Sequence, residues 1–278
     1  MTAAQFPVFR NVEPLRVRDH AEPIHRAVPE EQPVAIVCNG TTLAVMMATP
    51  ADLEDFGVGY LISEGVIVEA AQVARSEVVE HEQGIELRHW LSAGDARAML
   101  ARRRQMVGPT GCGLCGIESL EQAARPLPRV ASGFTVDAEA LRQAVAGLRD
   151  RQELNALTRG VHAAALWSPA SGYRLVREDV GRHNALDKVI GAMARTNAEA
   201  GVLLLTSRVS IDLVQKAAIA AIPLVAAVSV PTHSAIRAAD GAGITLVGVA
   251  RDDGFEIFCR PERIMRCGAR TTEAAPAG

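Results

Sequence analysis

Cys112 and Cys115 stand three residues apart in Gly108-Pro109-Thr110-Gly111-Cys112-Gly113-Leu114-Cys115-Gly116, where four of nine residues are glycine. Backbone of that composition turns freely, and little side-chain bulk shields either sulfur, so the stretch reads as a reactive loop. A Cys-x-x-Cys pair can be half of a zinc site, a redox disulfide, a sulfur-carrying nucleophile or two ordinary cysteines. Zinc needs two further ligands, and the chain has neither a second Cys-x-x-Cys nor a His-x-x-x-His. Cys259 and Cys267 are too widely spaced for a standard knuckle, and Cys38 reads as a buried strand residue. A thioredoxin-type pair sits at a strand-to-helix junction, whereas glycine and proline dominate here. Sulfur transfer needs an exposed thiolate on a loop that can visit a donor and then an acceptor, and this loop meets that need. A helix starting within Ile117 to Ala124 would set the loop at a helix N-terminus and lower a thiol pKa.

Three further polar constellations follow apolar runs. Arg177-Glu178-Asp179-Val180-Gly181-Arg182-His183-Asn184-Ala185-Leu186-Asp187-Lys188 is dense in donors and acceptors and enters a helix whose amides can hold an anion. The plain alternative is capping by Asn184 and Asp187 with Arg182 solvated. Thr206-Ser207-Arg208-Val209-Ser210, between a strand and a helix, offers hydroxyls, a guanidinium and helix amides as a phosphate cradle, against capping by Ser210 alone. Pro231-Thr232-His233-Ser234 follows the next strand, so a parallel sheet would bring His233 near Arg208, unless His233 is a solvated turn residue. His162 lies inside a strand-like run and reads as a satisfied core histidine.

The elements that position these residues are marked by periodicity. Val34 to Cys38 and Thr42 to Met47 form a hairpin through Asn39-Gly40. Thr49-Pro50-Ala51-Asp52 supplies an N-cap, a proline at N1 and an acid at N3 for an amphipathic helix carrying Leu53, Phe56, Tyr60 and Leu61 up to Gly65. Ser76 to His81 and Ile85 to Leu91 make a second hairpin, and Asp95 to Met106 a basic helix with Arg102, Arg103 and Arg104. Asp137 caps a helix through Leu141, Val145 and Leu148, and Val161 to Trp167 with Tyr173 to Glu178 form a third hairpin. From Asp179 strands and helices alternate: helix 184–194, strand 201–206, helix 211–221, strand 224–230, helix 234–239, strands 244–250 and 255–259. The continuous apolar runs Val202 to Leu205 and Leu224 to Val228 suit parallel strands covered on both faces.

At 278 residues and 49% hydrophobic content the chain can bury a sizeable core without staples. A net charge of −3 sets up no field that calls for nucleic acid or an anionic membrane, so an anionic ligand must be held locally. No apolar run reaches the ~18 residues of a membrane span, the start lacks the look of a secretory signal, and five cysteines argue against a disulfide framework. A cytoplasmic protein with reduced thiols is expected. The organisation expected is an N-terminal α+β part over 1–130 ending in the cysteine loop, an α/β part over 131–270, and a disordered tail over 271–278.

Gly111 to Gly116, the run Arg177 to Lys188 and Ser207-Arg208-Val209-Ser210 together resemble the formate dehydrogenase accessory sulfurtransferase family, from the N-terminal hairpin to Arg263. The resemblance implies a protein that takes persulfide sulfur from a cysteine desulfurase and delivers it to the molybdenum or tungsten bis-guanine-dinucleotide cofactor of formate dehydrogenase. It implies Cys112 as persulfide carrier, with Cys115 assisting transfer or resolving the persulfide. Arg182, His183, Ser207, Arg208 and His233 would lie near the guanine and phosphate groups of molybdenum bis(molybdopterin guanine dinucleotide), the bound acceptor, which a guanine nucleotide would mimic. The segment Phe258, Cys259, Arg260, Pro261, Glu262 and Arg263 would complete that site, its plain alternative being a strand end with two solvated arginines. The implied fold is a three-layer α/β/α sandwich similar to cytidine deaminases, with a smaller N-terminal part and a homodimeric assembly. Deaminase chemistry wants Pro-Cys-x-x-Cys, and Gly111 precedes Cys112 here, so zinc hydrolysis is not supported. No metal of its own, nucleic acid or membrane is expected. A thiol-disulfide oxidoreductase and a non-catalytic cofactor escort stand as the rival readings.

Overall fold

The structure is a computed structural model, and it describes residues 6–92 and 127–265. The expected basic helix over 95–106, the loop with Cys112 and Cys115, the helix expected within 117–124 and the tail lie outside the described residues.

Four short strands come first: β1 (Phe9–Val12), β2 (Leu15–Val17), β3 (Ala21–Pro23) and β4 (Arg26–Pro29). They pair as two antiparallel ribbons, β1 with β4 and β2 with β3. Their side chains are mostly exposed, so no apolar alternation announces them in the sequence. The expected hairpin follows as β5 (Gln32–Cys38) and β6 (Thr41–Ala48). Asn39 and Gly40 both hold positive φ, 46° and 74°, as a two-residue turn matched to strand twist requires.

Helix α1 (Leu53–Ser63) leads to the second hairpin, β7 (Val73–His81) and β8 (Gly84–Leu91), and the four strands form one sheet in the order β6-β5-β8-β7. Two expectations about α1 are corrected. Its N-cap is Asp52, in a left-handed conformation and without a side-chain cap bond, because Thr49 is engaged elsewhere. Nor is it amphipathic: Leu53, Asp55, Phe56, Gly57, Val58, Gly59, Leu61, Ile62 and Ser63 are all buried.

After β9 (Val136–Asp137), Asp137 accepts from the amides of Glu139 and Ala140 and starts α2 (Ala138–Gly147) as the sequence indicates. The short α3 (Glu153–Thr158) was not legible. Its first amides, Leu154 and Asn155, are received by the Glu178 carboxylate from a distant strand, so its cap is tertiary. The series then runs β10 (His162–Ser168), β11 (Gly172–Asp179), α4 (Arg182–Thr196), β12 (Val202–Leu205), α5 (Ile211–Ile219), β13 (Leu224–Ala227), α6 (His233–Ala242), β14 (Thr245–Arg251), β15 (Gly254–Cys259) and β16 (Ile264–Met265).

Six strands make the main sheet, ordered β11-β10-β12-β13-β14-β15. The continuous runs are indeed parallel, β12 with β13 and β13 with β14, and antiparallel strands flank them. Alternation divides the sheet between two cores. Ala164, Leu166, Leu203, Leu205, Val225, Ala227 and Leu246 join α1, α4, α5 and α6 in one. Ala165, Trp167, Val202, Leu204, Leu224, Ala226 and Val247 join Leu141, Ala144 and Val145 of α2 in the other. The chain is thus a mixed α/β protein. Among the described residues no helix is long and apolar enough to cross a membrane.

Candidate functional site

The parallel strands fix which loops share an edge of the sheet. The segments leaving β12 and β13 bridge at Val209 and Pro231, and the Thr232 amide donates to the Val209 carbonyl at 2.9 Å. β10 runs the other way, so its start, His162, lies at this edge, paired with Asp179 at the end of β11. The segments that enter α4, α5 and α6 therefore lie along one edge, which carries Arg182, His183, Ser207, Arg208 and His233. Ser207 is buried and donates to the Arg208 carbonyl, whereas Arg208 and His233 are exposed. His162 is half-buried at the rim rather than in the core, and burial followed by Arg182 lowers its pKa.

The long motif divides by function. Asp179 and Lys188 are fully buried and pair at 2.6 Å. Asp179 also accepts from the Gly181 amide, the Asn184 side chain and the Thr49 amide, and Lys188 donates to the Thr49 carbonyl. The Asn184 side chain reaches the Met47 carbonyl, and the Thr49 hydroxyl receives the Val180 amide. Asp187 pairs with Lys216 of α5 at 2.9 Å and takes a hydrogen bond from Ser63 of α1. The N-cap of α4 is Gly181, so Asn184 and Asp187 do not cap it; they are internal ties. Buried charges of this kind are tolerable because each is paired and hydrogen-bonded.

Arg182 and His183 belong to none of these ties. His183 Nε2 lies 3.4 Å from Asp212 Oδ2 in the first turn of α5, and Ser210 donates its hydroxyl to that same oxygen at 3.0 Å instead of capping the helix. Burial first and Arg182 second push the His183 imidazole down to about 4, although Asp212 pulls the other way. Burial and Arg182 thus both favour the neutral imidazole. Arg182 Nε, His183 Nδ1 and Asp212 Oδ1 are buried and have no hydrogen-bond partner among the described residues. Asp212 and its Ser210 tie escaped sequence reasoning; the signal was an acid two residues past the serine of a strand-to-helix polar run.

Phe258 to Arg263 lie at the opposite edge. Cys259 pairs with Leu246 near the start of β14, and the Thr245 hydroxyl donates to the Arg260 carbonyl. Arg260 is half-buried and bonded to Asp240, at 2.7 Å to its carboxylate, and Arg263 is buried against Thr245 and the Val130 carbonyl. The two arginines are thus not free solvated cations. Pro261 and Glu262 are exposed, and the Cys259 thiol is raised by burial. Within one chain the structure does not bring this segment to the edge that carries Arg182 and His183.

Comparison with known proteins identifies the family. The model of the FdhD/NarQ family matches residues 29–265. A protein of Agrobacterium fabrum named sulfur carrier protein FdhD is 51% identical over 243 residues, covering 86% of this chain and 90% of its own. One of the same name from Xanthomonas axonopodis pv. citri is 46% identical over 240 residues, covering 85% of each. Among solved structures, a putative formate dehydrogenase accessory protein from Desulfotalea psychrophila superposes with a TM-score of 0.77 at 24% identity, over 93% of this chain and 100% of that one, and shares its fold. With the match spanning both the cysteine loop and the carboxyl edge of the sheet, the chain belongs to the FdhD/NarQ family.

Proposed function

We propose that this protein is a sulfurtransferase that accepts persulfide sulfur from a cysteine desulfurase and passes it to the molybdenum or tungsten bis-guanine-dinucleotide cofactor required by formate dehydrogenase. The observation that carries the reading is the family match across residues 29–265, whose relatives are named as sulfur carriers, together with the reactive-loop composition around Cys112. In the first step the Cys112 thiolate attacks the outer sulfur of the donor persulfide. A Cys112 S–S bond forms as the donor's S–S bond breaks, and the donor thiolate leaves, so no net oxidation occurs. Attack by Cys115 on the inner sulfur then releases the carried atom as hydrosulfide and leaves a Cys112–Cys115 disulfide for a cellular thiol to reduce. Arg182, Arg208 and His233, at an edge where three helices begin, suit the phosphates of the acceptor.

The same reading takes the two cores on opposite faces of the main sheet as a three-layer sandwich of the cytidine deaminase kind, divided near residue 130. It makes the protein a cytoplasmic homodimer that docks a cysteine desulfurase and the catalytic subunit of formate dehydrogenase. A homodimer would also give Phe258 to Arg263, remote from Arg182 within one chain, a route to the site through a second copy.

Intact-protein mass spectrometry after incubation with a cysteine desulfurase and cysteine tests the proposal. One added sulfur on the wild type, removed by reductant and absent from Cys112→Ala, is expected. Sulfur on no form despite an active desulfurase would leave the escort reading, in which the loop only docks.

A further inference from the structure

The N-terminal sheet packs one face, with Val34, Ile36, Ile85 and Leu87, into the core beside α1 and leaves a strand edge uncovered among the described residues. An unpaired strand edge recruits other strands, and proteins guard it with charge. The edge strands of the two larger sheets are β6, β7, β11 and β15. β7 carries Arg75, Glu77 and Glu80, β11 carries Arg174 and Arg177, and β15 carries Glu256. β6 reads Thr-Thr-Leu-Ala-Val-Met-Met-Ala, with no charge and no proline over its 8 residues. The irregularity in its pairing with β5 lies between Ile36 and Val37, near the turn, so the strand from Ala44 onward stays in register.

The backbone of Val45 points away from β5. Met47 turns its carbonyl out to the Asn184 side chain, and it stands opposite Pro33, which has no N–H to give. A strand repeats every second residue, so the Val45 N–H and C=O face outward as those of Met47 do. No strand meets them among the described residues. Val45 and Met47 are 53% and 47% exposed, on the face they share with Pro33 and Ala35. A row of backbone donors and acceptors is matched by extended chain, and an apolar, uncharged flank by side chains of the same kind. We propose that β6 is a docking edge for an extended, uncharged segment of a partner protein, which adds a strand beside Val45 and lays alternate apolar side chains against Val45 and Met47. The Asn184 bond sets this edge at the entry of α4, so a segment held there brings its protein beside Arg182 and His183.

Fluorescence anisotropy of a labelled peptide, acetyl-Ser-Val-Thr-Val-Ser-Val-Thr-amide, titrated with the full chain tests the assignment. The wild type is expected to bind it with a Kd of ~10–100 μM. Methylating the peptide's amide nitrogens, or replacing its valines with lysine, should weaken binding about 10-fold or more, a comparison that needs no protein variant. Val45→Lys should weaken binding as much, whereas Val45→Thr should keep it within about 2-fold. Neither substitution should move the urea midpoint, because the Val45 side chain is exposed. Saturating peptide should also slow amide exchange across β6 in the wild type. No binding by the wild type, or equal binding by Val45→Lys or of the methylated peptide, overturns the proposal. If Val45→Lys instead converts a dimer into monomers in sedimentation, the edge belongs to a second copy of this chain and the partner assignment is overturned.

Discussion

Two aspartates divide the chemistry of this molecule. Asp179 sits at the end of β11 with both oxygens used, by Lys188, Thr49, Gly181 and Asn184. Asp212 sits at the start of α5 with one oxygen used and the other unmet among the described residues. Both are buried acids at the same edge of the same sheet. A completed buried network holds parts of a fold together, whereas an incomplete one is retained at a cost that folding alone does not explain. The lesson is that a polar motif should be read by which of its atoms are spent.

The sharpest way to break this comparison is to make the same change at both positions. Asp179→Asn leaves the Lys188 ammonium buried without its counter-charge and should cost about 3–5 kcal/mol. Asp212→Asn, which breaks no such pair, should cost under about 1 kcal/mol, because the amide oxygen still accepts from Ser210. Urea unfolding at pH 7 measures both, and equal costs would erase the distinction.

Acid probes the two environments together. His89 is buried behind α1, and burial lowers its pKa to about 4, as burial and Arg182 do for His183. A depressed folded pKa means that the unfolded chain binds protons first. Stability is therefore complete above the ordinary histidine value near 6.5 and falls as pH drops from there to about 4, by roughly 3 kcal/mol for each histidine. His89→Gln should flatten the slope of unfolding free energy between pH 6.5 and 4.5, leaving the share that His162 and His183 contribute. A slope unchanged by that substitution would show that His89 is charged in the folded protein. Thr49, whose hydroxyl receives the Val180 amide, probes the completed network by itself. Thr49→Val should cost about 1–2 kcal/mol in the same urea assay without altering nucleotide binding, since it removes a tie and no ligand contact.

Much of the scaffold was legible because its signals are local. Asn39-Gly40 dictates its own turn, and Asp137 caps its own helix. Thr49 misled because a hydroxyl before Pro50 suits a cap, yet a long-range demand from Val180 took it. The ribbons β1 to β4 carry no buried face to pattern them. For the site, the polar runs and their shared edge could be anticipated from parallel strands, and Val209 and Pro231 do meet. The remoteness of Phe258 to Arg263 could not, because strand sense is not written in an apolar run: β15 pairs antiparallel to β14 and returns the chain to the far edge. Asp212 was hidden for a related reason, since its distinction is an absent partner that only three dimensions reveal.

The crossing of α1 and α4 has a consequence for how the chain is made. A Cβ on Gly59 would run into the backbone carbonyl of Asp187, and one on Gly191 into that of Asp55, so the helices touch backbone to backbone. About 130 residues separate Gly59 from Gly191. At ~5–20 residues per second, α1 leaves the ribosome on the order of 10 s before the helix it must meet. During that interval Phe56, Leu61 and their neighbours have no α4 to bury against. An apolar face left open that long suits a holdase chaperone, so yield at synthesis should track chaperone supply more closely than it tracks the stability of the finished fold.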